Sequence, residues 1–104
     1  MIRIPSWMLK MARAKGEREY QLLIEYRLAG SDVAALLDVS RNTIHLWSTN
    51  GRQGALLRCK IFHAFSGRPR YAYRLMDVEQ FASTFGVRVR YETLPAGLRL
   101  EWNV

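Results

Sequence analysis

The sequence predicts a single α+β domain spanning residues 1–104, and three observations carry that expectation. Apolar residues recur at helical spacing through the first half, as in Tyr20, Leu23, Ile24 and Leu28. In two later stretches they alternate with polar residues, as half-buried strands do. Gly-containing polar segments punctuate the boundaries. With 104 residues, 49% apolar and 12% aromatic, the chain can bury one core but not two, and its composition is not that of a disordered segment.

Pro5 suits the first turn of a helix whose residues Ile4, Trp7, Met8 and Met11 share one face, and Gly16 ends it. A second helix is expected from Glu17 to Leu28, closed by Gly30 as a C-terminal cap. Ser31 or Asp32 can cap a short third segment, Asp32 to Leu37. After a turn at Asp38–Val39, Ser40 caps a helix running to about Ser48. Thr49 to Gly54 is polar and glycine-rich, hence loop. Leu57, Cys59 and Ile61 alternate with Arg58 and Lys60 as a strand, Ser66-Gly67-Arg68-Pro69 turns the chain, and Tyr71 to Leu75 returns. Asp77 followed by Gln80 resembles a capping box for a helix with the apolar face Val78, Phe81, Ala82 and Phe85, which Gly86 ends. Residues 87–104 alternate as a C-terminal β-hairpin closed through Leu94-Pro95-Ala96-Gly97. That register pairs Val89 with Trp102 and Tyr91 with Leu100 on one face, and Arg90 with Glu101 and Glu92 with Arg99 on the other.

The segment Gly30 to Trp47, GSDVAALLDVSRNTIHLW, meets the physical needs of a helix-turn-helix over residues 31–49. Ala34 is small where two helices cross. Val33, Leu37, Val39, Ile44 and Trp47 fall at core offsets, and Asp38 tolerates the left-handed turn position. With the helix Glu17–Leu28 this makes a three-helix core. The polar face Ser40, Arg41, Asn42, Thr43 and His45 is then left for the major groove. Arg41 can pair bidentately with guanine and Asn42 with adenine, His45 reaches a base or phosphate, and Ser40 and Thr43 suit phosphates.

Charge points to the same partner. All of the net +7 lies between Val39 and Met76, where Arg41, Arg52, Arg58, Lys60, Arg68, Arg70 and Arg74 occur with no Asp or Glu; nine cations and nine anions remain elsewhere. Localised charge of one sign favours a polyphosphate partner. The hairpin over 57–75 then reads as a wing, its basic tip Arg68 and Arg70 suited to a narrow minor groove. Against this stands the plainer reading of a solvated turn. Arg52, Arg58 and Lys60 complete the expected DNA-binding set.

The stretch GRPRYAYRLMDVEQFAST resembles the wing and following helix of MerR-like and excisionase-like winged-helix proteins, and the resemblance covers roughly Gly30 to Thr84. It implies a DNA-binding regulator of a bacterium, phage or plasmid.

Enzymatic readings find little to stand on. Cys59 and His63 lie four apart in a strand, and one cysteine with two histidines makes a zinc site improbable. Asp32, Asp38, Asp77 and Glu79 have cap or turn explanations, and Gly51 and Gly54 lack the context of a phosphate-binding loop. The expectation is a non-enzymatic protein without metal or cofactor, cytoplasmic given its lone cysteine and its lack of a membrane span or signal peptide. Double-stranded DNA is the expected partner, bound as a homodimer or cooperative assembly. Its expected role is sequence-specific transcription regulation, as a repressor. The alternatives are an excisionase-type architectural factor or the DNA-recognition subunit of a transposase or packaging complex. Candidate assembly surfaces are the Trp7-Met8-Met11 stripe and the Val89–Trp102 face.

Overall fold

The computed structural model describes residues 2, 4, 6–63 and 69–104. Among the described residues it is an α+β fold of six α-helices and one two-stranded antiparallel hairpin. The helices are α1 (Ser6–Lys15), α2 (Glu17–Glu25), α3 (Gly30–Leu37), α4 (Arg41–Thr49), α5 (Leu75–Thr84) and α6 (Ala96–Trp102). The strands are β1 (Lys60–His63) and β2 (Pro69–Ala72), and a 3-10 turn spans Tyr91–Thr93. Pro5 and the hairpin tip, Ser66 to Arg68, lie outside the described residues.

The core forms where α3, α4 and α5 meet. Val33, Ala34, Leu36 and Leu37 of α3, Ile44 of α4, and Val78, Phe81 and Ala82 of α5 are all buried in it. Trp47 of α4 packs on Phe81 at 5.2 Å between ring centroids, and Phe81 on Phe85 at 4.8 Å. The three-helix core expected with Glu17–Leu28 is therefore corrected: α2 has no buried residue, and α5 takes that place. The helix also stops at Glu25, where Tyr26 leaves helical geometry (φ −90°, ψ 66°) and the chain runs on to Leu28. There Leu28 exchanges both backbone hydrogen bonds with Tyr73, its N–H to the Tyr73 carbonyl at 3.3 Å and the reverse at 2.8 Å. Gly30 consequently opens α3 instead of closing α2.

Local chemistry sets the ends of α3 and α4. Asp32 Oδ2 accepts the Ala29 N–H at 2.7 Å, which satisfies a donor that the helix start leaves unpaired. Asp38 adopts the expected left-handed conformation, φ 55°, and its N–H reaches the carbonyls of Ala34 and Ala35. Ser40 Oγ accepts the Thr43 N–H at 3.1 Å and so caps α4.

The hairpin expected over 57–75 is shorter, with Lys60 opposite Ala72 and His63 opposite Pro69. Leu57 is fully buried, its N–H bonded to the Trp47 carbonyl, and Leu75 already belongs to α5. Arg74, not Asp77, is the N-cap residue of α5, while Asp77 sits one turn in with its carboxylate held by the Arg74 guanidinium at 3.1 Å.

The C-terminal β-hairpin over 87–104 does not form. The segment folds as the 3-10 turn and α6, with Leu94 and Leu98 buried in the core and Leu100 left 84% exposed. The expected pairs dissolve with it: Arg90 binds Asp38 at 3.1 Å and Glu101 binds Arg27 at 2.9 Å. Helical geometry wins because Leu98 and Trp102, four apart in α6, both turn onto the core, where Leu94 is already buried just ahead of the helix. A hairpin would have required a two-faced sheet with nothing to cover it.

Candidate nucleic-acid interface

A half-open groove of about 830 Å³ runs between α4 and the β-hairpin. Arg41, Asn42 and His45 line its α4 side, and Pro69, Arg70 and Tyr71 its hairpin side. Ile2, Ala29 and Gly30 close one end, and the Ile2 N–H bonds the Arg27 carbonyl at 2.7 Å. No carboxylate lines the groove among the described residues.

The elements place these side chains for plain reasons. Ile44 faces the core, so Asn42 and Leu46, nearly opposite on the helix, must face out, with His45 and Thr49 beside them. Ser48 Oγ donates to the Ile44 carbonyl at 2.8 Å and meets the Tyr73 hydroxyl at 2.7 Å, which ties α4 to the segment after β2. Burial raises the pKa of that tyrosine above its ordinary value, so the hydroxyl stays protonated. The His45 ring stands edge-on to Tyr71, 5.4 Å between centroids. The spacing across the groove is therefore held by contacts of α4 with the β2 side.

The basic window divides in three dimensions. Arg41 and Arg70 come together in the groove, and their side chains make no hydrogen bond or ion pair with another described residue. Arg52 instead lies over the rings of Trp47 and Phe85, at 5.4 and 4.6 Å, and closes the core edge. Lys60 stands over Tyr26 and Phe62 and lines a different groove, beside α1 and α2. Arg58 is exposed, away from the groove lining. Arg74 belongs to Asp77 and to Glu25, 3.6 Å away. Arg68 lies outside the described residues.

Ser40 and Thr43 are spent on each other, their hydroxyls 2.9 Å apart at the cap. One residue of the outer face escaped the sequence argument, which singled out polar side chains alone. Leu46 is 52% exposed in the turn after Asn42. Its signal was available: it is the apolar residue that the Val33-Ile44-Trp47 core pattern leaves unused.

Burial, then the nearby Asp77 carboxylate, raises the pKa of Cys59, so its thiol is a packing group and not a ready nucleophile. No group of three or more His, Cys, Asp or Glu gathers among the described residues. Among the described residues no helix is long and apolar enough to cross a membrane.

The chain matches no protein-family model, no curated protein and no solved structure. Its function must be read from the groove itself.

Proposed function

We propose that this chain is a winged helix-turn-helix protein that binds double-stranded DNA sequence-specifically and acts as a transcription regulator. The observation that carries the reading is the carboxylate-free groove in which Arg41, Asn42 and His45 of α4 face Arg70 of the hairpin. α4 presents an uncommitted guanidinium and amide at its N-terminal end, the pair of groups that discriminate guanine and adenine in the major groove. Arg70 supplies positive charge on the opposite wall, where a phosphate strand would lie. Arg52 drops out of the DNA-binding role because the fold already uses it against Trp47 and Phe85.

The test is selection of bound duplexes from a random library with the intact chain, Arg41→Ala and Arg70→Ala. Arg41→Ala is expected to relax one position of the selected motif, at a cost of about 1–3 kcal/mol for a lost bidentate pair. Arg70→Ala is expected to weaken binding evenly across sequences. Recovery of no motif, with binding that merely falls with salt, rejects sequence-specific readout. Inverted half-sites would favour a repressor, and direct repeats an architectural recombination factor.

A further inference from the structure

The first two helices stand outside the core. Neither α1 nor α2 contributes a buried residue, and the two pack chiefly on each other. Between them and β1 runs a second groove of about 250 Å³, floored by Trp7, Met8, Met11, Leu22, Leu23 and Phe62. Met11 is 53% exposed and Trp7 45%, although both belong to the apolar stripe of α1. Lys15 and Glu19 line it from the two helices, and Lys60 from β1.

Charge divides between the two helices. α1 carries Lys10, Arg13 and Lys15 and no acid; α2 carries Glu17, Glu19 and Glu25 against the single Arg18. No ion pair joins α1 to α2 among the described residues: Arg13 donates to the Tyr20 hydroxyl, and Glu25 turns to Arg74. Of these helix charges, Lys15 and Glu19 line the groove, and a face that sets Lys15 of one helix beside Glu19 of the other over an apolar floor is complementary to itself after a twofold rotation. The rotation lays α1 of one copy on α2 of the other, so Lys15 and Glu19 each meet their opposite and both floors are covered. An unrelated partner would need the same split built in reverse. A second copy of this chain already has it.

We propose that the α1–α2 face joins two copies of this chain into a twofold-symmetric dimer, with Lys15 of each opposed to Glu19 of the other around a shared apolar centre of Trp7 and Met11. The arrangement stands independently of DNA binding, so its test contains no DNA.

Light scattering of the full chain across micromolar concentrations is expected to give twice the monomer mass. Met11→Glu, at an exposed position, is expected to give a monomer with an unchanged far-ultraviolet circular dichroism spectrum. Lys15→Glu and Glu19→Lys should each weaken self-association at least about tenfold, because a twofold axis repeats every like-charge clash. Mixing the two variants in equal amounts should restore the dimer, since each mixed contact again joins opposite charges. A monomer at every concentration overturns the proposal and leaves the face to a different protein. So does a dimer that tolerates Met11→Glu, or a mixture no tighter than its components.

Discussion

Arg70 and Arg74 stand one strand-end apart and have opposite fates, which shows how far charge alone can be read. Arg74 is bound to a carboxylate that is 5% exposed, so Arg74→Ala strands Asp77 in the core. It is expected to cost about 1–3 kcal/mol of stability, seen as a lower urea midpoint. Arg70→Ala should leave that midpoint unchanged. Tyr91 donates its hydroxyl proton to Glu79, and that bond raises its pKa to about 12. The protonated form is the one stabilised. The bond's contribution is therefore whole below the ordinary tyrosine value of 10.0 and is lost as pH rises through about 12. Comparing the alkaline denaturation of the intact chain with that of Tyr91→Phe should show a gap that closes over this window. Leu46 offers a different test, resting on the proposed DNA reading. An apolar side chain in the turn after Asn42 suits a thymine methyl. Replacing thymine by uracil in the selected site should weaken the intact chain and leave Leu46→Ala indifferent.

Among the elements, those with one dominant period were legible from the sequence. The three-residue steps Ala34–Leu37 and Ile44–Trp47 announced α3 and α4 because such steps fit no strand, and Ser40 and Asp38 fixed the joint between them. Val78, Phe81 and Ala82 announced α5 in the same way. The tail misled because Leu98 and Trp102 satisfy both periods, every second residue containing every fourth, while Leu100 between them fits the strand alone and is left exposed on the helix. Pro95 immediately before α6 was the available hint, since its ring suits a helix start. The participation of α2 in the core was misjudged for another reason. Amphipathicity shows that a face will be covered, but not by what. The loop after α4 was read correctly as irregular, and its glycine has a specific duty. Gly51 has φ +82°, and a Cβ there would lie 2.7 Å from the Ala55 carbonyl oxygen. Gly51→Ala is expected to destabilise the chain by about 2 kcal/mol or more by thermal or urea denaturation, through both strain and collision.

For the molecule as a whole, the net charge of +7 overstates what a polyanion would meet. Salt bridges and aromatic rings retain Arg27, Arg52, Arg74 and Arg90, whereas Arg41 and Arg70 keep their charge free in the carboxylate-free groove. If DNA lies in the groove, Arg70→Ala should reduce the slope of log affinity against log salt by about one unit, and Arg52→Ala should not change it. The paired amides of Leu28 and Tyr73 carry a consequence for how such a surface opens. They join the chain just before α3 to the chain just after β2, so α3, α4 and the hairpin form one loop closed at its two ends by this pair of bonds. Both walls of the groove hang from that closure. Neither can swing far without straining it, since Tyr73 also holds Ser48 of α4. Hydrogen exchange at these two amides would thus register the loosening of the binding surface, and a bound polyanion spanning the walls should slow it.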